Sequence, residues 1–289
     1  MELLKKIFSP ITWSIKLIQN NFKAMLFILI LFLIFAPQSE EDLRPNNLVQ
    51  INLFGPIMDV TEILEQIENA ASNTDIKGVL LVVDSPGGAV PPSIELAYAI
   101  KRLKESKPVV VYAKGTIASG SYYASIWANE IIANPGSMVG SIGVIMQGAD
   151  LSGIMQKIGI KTQVVKAGKY KQLGTTDREW KEFEINELNK VIQGTYDMFS
   201  KDVADARGLD FSKRDRYANA HIFTALQAKE VGLVDTLGVA YDAKKRVIEL
   251  SKVKEAIWNK EDKFDKFIKK LSATTAITLY TYFPNITMK

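Results

Sequence analysis

The chain contains no cysteine and only one histidine, His221, among its 289 residues. Without cysteine there is no thiolate nucleophile, no cysteine-ligated zinc or iron–sulfur site and no disulfide. A zinc site built on several imidazoles is excluded as well, and a Ser-His-Asp mechanism would have to use His221. A catalytic mechanism without histidine is therefore the first to consider.

Neither sign of charge is in large excess. The 36 basic and 32 acidic residues leave a net charge of +4. The lysines and arginines form no long basic blocks and do not alternate with aromatic residues, as they would on a nucleic-acid-binding surface. The sequence thus predicts no nucleic-acid partner, and its 47% hydrophobic content is typical of a globular protein.

Residues 24–36 form a continuous run of apolar residues without any charge. A membrane-spanning helix needs about 20 apolar residues, and residues 20–37 approach that length if Lys23 extends its ammonium toward the lipid headgroups. Lysines precede the stretch and acids follow it, which predicts that the N-terminus is cytoplasmic. Pro37 disfavours cleavage after Ala36, so an uncleaved signal anchor is favoured over a cleaved signal peptide or a buried soluble helix.

This interpretation divides the chain into a basic cytoplasmic segment (1–19), the anchor (20–37), a linker (38–46), a main domain (47–250) and a C-terminal extension (251–289). The main domain would then lie on the outer side of the cytoplasmic membrane. The extension could contact the membrane, a neighbouring subunit or the substrate groove, or simply pack as an extra element.

The main domain begins with a pattern typical of a β-α-β unit. Apolar strands are predicted at 48–54 and 78–83, with an amphipathic helix at 61–71 between them. A second helix at 92–104 and a strand at 108–113 continue the alternation. Uninterrupted apolar strands that alternate with helices predict a parallel sheet covered on both faces. Functional residues are then expected in the turns that follow the strands.

Two of these turns carry suitable residues. The first turn, 84–89, contains the adjacent glycines Gly87 and Gly88, whose amides could stabilise negative charge or simply form a tight turn. The second turn places Ser119 between small residues at the start of a short helix. Ser119 could be a nucleophile or an ordinary helix cap, and its local sequence does not decide between the two.

Four segments together resemble the signal peptide peptidase A family, membrane-anchored serine peptidases related to the Clp protease and the crotonases. They are residues 84–88, 118–123, 140–144 and 166–171. The resemblance covers residues 47–250 and implies an α/β, Clp protease/crotonase-like parallel-sheet domain behind an N-terminal transmembrane helix. It further implies a Ser/Lys dyad, in which Ser119 attacks the peptide carbonyl and Lys171 accepts the proton.

The same resemblance assigns supporting roles. Ser141 matches the family serine that orients the lysine. Gly88 and Gly120 are the candidates for the oxyanion-hole amides, because one belongs to the Gly-Gly turn and the other follows the nucleophile. A lysine of ordinary pKa, about 10.4, acts as a base near neutral pH only after desolvation. Lys171 is therefore expected to be buried in the active enzyme.

Three features leave this assignment open to test. Lys166 and Lys169 lie close to Lys171 in the sequence and are alternative bases. The chain also departs from the usual family pattern, with Gln172 where many relatives have aspartate and Ser121 where glycine is more common. Neither departure removes a catalytic group.

By this resemblance the chain is a serine endopeptidase that hydrolyses apolar peptides, such as signal peptides left in the membrane, and requires no metal or organic cofactor. It implies a homo-oligomer, in which the serine and the lysine of one dyad can come from neighbouring protomers. A crotonase-type acyl-CoA enzyme and a non-catalytic membrane scaffold of the same fold are the alternatives. The long amphipathic helix predicted at 177–207 suits core packing or a subunit contact, and His221 is expected to be a surface or packing residue.

Overall fold

The computed structural model describes residues 21–29 and 44–259. Residues 46–258 form one compact unit, and the described residues outside it belong to a separate unit. Residues 21–29 are helical, but the rest of the predicted anchor, 20–37, lies outside the described residues. Within the described ranges, no helix combines the length and the apolar character that crossing a membrane requires.

The compact unit alternates strands and helices in its first half and is mainly helical in its second. The strands are β1 (Leu48–Phe54), β2 (Gly78–Ser85), β3 (Val109–Ala118), β4 (Glu130–Ala133), β5 (Met138–Gly140), β6 (Ile222–Thr224) and β7 (Thr236–Leu237). The helices are α1 (Thr61–Ser72), α2 (Val90–Ser106), α3 (Gly120–Ser125), α4 (Ser152–Lys157), α5 (Glu182–Arg207), α6 (Ala225–Glu230) and α7 (Ala240–Ser251), with a 3-10 helix at Phe211–Arg216.

The strands form a predominantly parallel sheet in the order β1-β2-β3-β4-β7. The long strand β3 pairs with β4 along its first half and with β5 along its last three residues. The pair β5–β6 is antiparallel. The structure confirms the predicted α/β class and the β-α-β unit, and it adds the antiparallel pair at the edge of the sheet near the end of β3.

The middle strand β2 shows why the sheet must be covered on both faces. Val79, Leu81 and Val83 join a large apolar cluster with residues of α1, α2, α3, α5 and α6. Leu80 and Val82 point to the opposite face and join a smaller cluster that α7 covers. Since all five side chains are buried, both faces of β2 contribute to the hydrophobic free energy of folding.

Helix α5 begins at Glu182, five residues after the start predicted from its apolar pattern. The Glu184 carboxylate accepts a hydrogen bond from the Lys181 N–H at 2.8 Å, which satisfies one free amide at the start of the helix. Residues 158–181, just before it, contain no helix or strand. Several apolar side chains between residues 145 and 165 are exposed, including Ile145, Ile154 and Val165.

Candidate active site

The predicted functional residues follow strands that end at the same edge of the sheet. Ser119 follows β3 and Ser141 follows β5, and these two parallel strands pair through Ala118 and Gly140. The Ser119 N–H donates a hydrogen bond to the Gly140 carbonyl at 2.8 Å. Gly88 lies in the turn after β2, the other neighbour of β3. Parallel pairing therefore brings three separate sequence segments together.

Ser119 has a strained backbone. Its φ is +53° and its ψ is −125°, in a region that residues with a Cβ rarely adopt. Such a conformation costs about 1–3 kcal/mol and persists only where neighbouring contacts enforce it. Ser119 lies between the end of β3 and the start of α3, and its own side chain accepts no capping hydrogen bond. This favours the nucleophile interpretation over that of a helix cap.

Ser121 makes some of the contacts that hold Ser119 in this conformation. Its buried hydroxyl accepts a hydrogen bond from the Ala118 N–H at 2.9 Å, and it lies 2.7 Å from the Ser85 carbonyl, to which it donates. The turn after β2 is thereby tied to the turn that carries Ser119. Serine in place of the commoner glycine thus has a structural role, which the sequence did not reveal because Ser85 lies 36 residues away.

The two predicted oxyanion-hole amides are available to a ligand. Neither the Gly88 N–H nor the Gly120 N–H has a hydrogen-bond acceptor in the part of the chain that the structure describes. A Cβ placed on Gly120 would lie 3.3 Å from the Gly88 nitrogen, so the two amides are neighbours. Two adjacent free donors beside a serine are the arrangement that stabilises a developing oxyanion.

Two cavities open beside Ser119, and Gly88, Val90, Gly143 and Val144 also line both of them. The smaller, about 30 Å³, is closed by side chains of α2, α3 and α5: Ser93, Ile94, Tyr123, Thr195, Met198 and Phe199. The larger, about 530 Å³, includes Ser141. The α5 residues were not predicted as site residues, because their spacing indicates only an amphipathic helix.

Ser141 and His221 meet through the backbone. The Ser141 N–H donates to the His221 carbonyl at 2.7 Å, and Ser141, with a φ of +51°, lies in the wall of the larger cavity together with Ser119. The imidazole of His221 is exposed, faces the Phe223 ring at 5.9 Å and lines neither cavity. This placement agrees with the surface or packing role predicted for it.

The structure does not bring Lys171 to Ser119 within this single chain. Lys171 is exposed and is not among the residues that line the two cavities. Of the alternative bases, Lys166 donates to the Lys169 carbonyl at 3.3 Å, and the ammonium of Lys169 lies 4.8 Å from the centre of the Phe183 ring. The Lys171 ammonium has no hydrogen-bond or ion-pair partner among residues 44–259.

We predict that Gly120→Ala will lower kcat by roughly 10²–10³-fold, the range seen when an oxyanion donor is lost. The new Cβ would lie 2.1 Å from the Ser93 Oγ, so either the Ser93 side chain or the Gly120 amide must shift. The Ser93 hydroxyl donates to the Ala89 carbonyl at 2.8 Å, which opposes its rotation and favours a shift of the amide. Steady-state kinetics on a peptide substrate measure the effect. Gly153→Ala is the matched control, because nothing lies within 4 Å of a Cβ placed there. Equal kcat values for both variants would contradict the assignment of the Gly120 amide.

Comparisons with known proteins find several similar proteases. The model of peptidase family S49 matches residues 101–254, more than half of the chain. A candidate protease of Methanocaldococcus jannaschii is 41% identical over 195 residues, covering 68% of this chain and 63% of that protein. A candidate signal peptide peptidase of Enterococcus faecium is 32% identical over 71% of this chain and 63% of its own length.

More distant matches include the chloroplastic serine protease SPPA of Arabidopsis thaliana, 31% identical over 64% of this chain and 27% of its own length. A solved structure, the 1510-N membrane-bound stomatin-specific protease, aligns with a TM-score of 0.49 and 14% identity, covering 70% of this chain and 85% of that one. The chain spans less than two thirds of the length of the curated relatives named here. The resemblance to the signal peptide peptidase A family is confirmed, and the chain belongs to peptidase family S49.

Proposed function

We propose that this chain is a serine endopeptidase that uses Ser119 as nucleophile and Lys171 as general base. One observation carries the proposal: Ser119 is held in a strained conformation next to the two unpartnered amides of Gly88 and Gly120, at the opening of an apolar cavity. A serine that served only as a helix cap would need neither the strain nor the free amides.

The residues suggest the following sequence of steps. Ser119 Oγ attacks the peptide carbonyl carbon while its proton passes to the neutral Lys171 amine. The oxyanion is held by the Gly88 and Gly120 amides. Collapse of the tetrahedral intermediate breaks the C–N bond, and the Lys171 ammonium returns the proton to the leaving amine. A water molecule, deprotonated in turn by Lys171, then releases the acyl group and restores the Ser119 hydroxyl.

A second copy of the chain would complete the dyad. Glu184, at the start of α5, and Tyr196, in the cavity wall, are twelve residues apart, which corresponds to about 18 Å along a helix axis. The segment with Lys171 contacts the start of the helix, whereas Ser119 faces the later part. The exposed apolar side chains between Ile145 and Val165 support a homo-oligomer, since a contact there would bury them.

The proposed substrates are apolar peptides such as remnant signal peptides. A cavity of about 30 Å³ accommodates a side chain with little more than one or two methyl groups, and its wall is made largely of apolar side chains. We propose that the residue on the amino side of the cut bond is small and apolar. The printed name of the Enterococcus faecium relative, a signal peptide peptidase, supports the same substrate class.

The remaining parts of the proposal concern fold and location. A Clp protease/crotonase-like fold is supported by the parallel β-α-β core with glycine amides after β2. A single-pass anchor at 20–37, with the catalytic domain outside the cytoplasmic membrane, is supported by the uncharged residues 24–36 and the charges on either side of them.

Labelling and cleavage by the full chain in detergent test the proposed function. We expect a fluorophosphonate probe to modify Ser119, as mapped by mass spectrometry, and the chain to cut peptides with alanine before the scissile bond faster than matched peptides with tryptophan or glutamate there. The heat-unfolded chain is the control. Labelling elsewhere or not at all would contradict the proposal. Binding of acyl-CoA without peptide cleavage would instead support a crotonase-type enzyme, and neither activity would support a scaffold.

A further inference from the structure

Both sequence neighbours of Lys171 are attached to the first turn of α5 or to the residues just before it. The Tyr170 ring packs edge-on against Phe183, the second residue of α5, with 5.7 Å between the ring centres. The Gln172 side-chain oxygen accepts a long hydrogen bond from Arg178 at 3.4 Å. Lys171 itself is left exposed between these two attachments. Its backbone is therefore restrained while its ammonium remains available.

Arg178 is itself fixed by a fully buried carboxylate. Its two terminal nitrogens donate to the two oxygens of Glu184 at 2.7 and 2.8 Å, and the Lys181 N–H donates to the same carboxylate at 2.8 Å. The hydrogen bonds from Arg178, followed by the one from Lys181, lower the pKa of Glu184 to about 2. Glu184 is therefore ionised under all physiological conditions, and its two oxygens set the plane of the guanidinium.

The chain between Gln172 and Arg178 is held against the residues just before helix α5. The Trp180 indole N–H donates to the Thr175 carbonyl at 2.8 Å, and Arg178 also donates to the Glu179 carbonyl at 2.9 Å. A buried ion pair contributes little stability compared with apolar residues of the same size. The ion pair differs from an apolar pair in its geometry. The two parallel hydrogen bonds fix the orientation of the guanidinium, and the guanidinium contacts Gln172.

From these contacts we infer that Arg178 and Glu184, acting through Gln172, are positioning residues that hold Lys171 for catalysis. None of the three lines the cavities beside Ser119, so they act on the base and not on the substrate. Helix α5 then has two functions: its first turn fixes the lysine segment, and its later turns form the wall of the cavity at Ser119. The inference rests on the proposed function.

The first test is Gln172→Ala in the full chain, which removes the contact with Arg178 without burying an unpaired charge. A base displaced by about 1 Å loses up to about 10²-fold in rate, so we expect kcat to fall by about 10- to 100-fold with KM unchanged. Gln172→Glu keeps an oxygen in the same place and is expected to retain kcat. Lys190→Met, which breaks the exposed Lys190–Glu187 pair on the same helix, is the matched control with unchanged kinetics.

A second variant tests the ion pair itself. Arg178→Lys keeps a positive charge for Glu184 but lacks the planar fork, so the contact with Gln172 is lost. We expect kcat to fall to a similar extent, with thermal unfolding measured in parallel. Full kcat in both Gln172→Ala and Arg178→Lys, beside an inactive Lys171→Ala, would overturn the inference. A rise in KM together with lower unfolding temperature would also overturn it, since that indicates a purely structural role.

If the chain is not a serine peptidase, these experiments give a different result. In that case the unmodified chain would neither cleave peptides nor react with the fluorophosphonate at Ser119, and the inference would fall with the proposed function. Cleavage and labelling by the unmodified chain, combined with variants of unchanged kcat, would contradict only the positioning role.

Discussion

Ser119→Ala is expected to lower peptide cleavage by a factor of about 10⁴ or more, the scale of loss when a serine nucleophile is removed. No other residue can form the acyl-enzyme from this position, and the chain has no cysteine to replace it. The oxyanion amides remain in place, so substrate binding should persist and KM should change little. Cleavage measured by mass spectrometry, at matched oligomeric state, checks the result. Residual activity within tenfold of the unmodified chain would rule out Ser119 as nucleophile.

A second substitution at the same position, Ser119→Gly, tests the backbone strain through the unfolding temperature. Ser119→Gly removes the Cβ that makes a φ of +53° unfavourable, so glycine should stabilise the fold by about 1 kcal/mol even though cleavage is lost. For a domain of this size, that corresponds to a rise of about 2–4 °C in the unfolding temperature. Ser119→Ala keeps the Cβ and is the control without that gain. Equal unfolding temperatures for the two variants would show that the backbone at Ser119 is not strained.

Lys171→Ala is expected to lower kcat by about 10²–10⁴-fold, the usual contribution of a general base. The reason is that the Ser119 hydroxyl would have no group to accept its proton. Lys166→Ala and Lys169→Ala are the matched controls, since those ammonium groups already contact the Lys169 carbonyl and the Phe183 ring. Full activity of Lys171→Ala beside an inactive Lys166→Ala or Lys169→Ala would transfer the role of base to that lysine.

A mixing experiment determines which chain supplies the base. If the dyad is shared between protomers, subunits of Ser119→Ala and Lys171→Ala that are dissociated and reassembled together should regain activity, because some sites then combine an intact serine with an intact lysine. Each variant reassembled alone is the control and should stay inactive. No recovery in mixed oligomers of confirmed composition would place both residues of the dyad in one chain.

Several elements were predictable because their causes are local. Strand β1 was predicted with the bounds that the structure shows, since its apolar pattern ends at the glycine and proline that follow Phe54. The turn at Gly87 and Gly88 and the start of α3 after Ser119 were predicted from glycine and small residues. Helix α5 was predicted to start five residues early, because the sequence does not show that Glu184 bonds back to Lys181.

The candidate site was predictable only in part, because some of its contacts join residues far apart in the sequence. The family motifs identified Ser119, Ser141, Gly88 and Gly120, and parallel strands bring these four residues to one edge of the sheet. The motif that contains Lys171 predicts which lysine is the base but not the surroundings of that lysine. The desolvation expected for a lysine base is not met by this chain alone, in which Lys171 is exposed.

The sequence by itself determined the parallel α/β core and the turns in which the candidate site residues lie, because apolar periodicity and turn-forming residues act over a few neighbours. Tertiary structure decided the free amides at Gly88 and Gly120, the small cavity closed by α5 and the attachment of the Lys171 segment to the first turn of that helix. The amides and the cavity depend on contacts between segments far apart in the chain, and the attachment depends on how a loop folds back onto a helix.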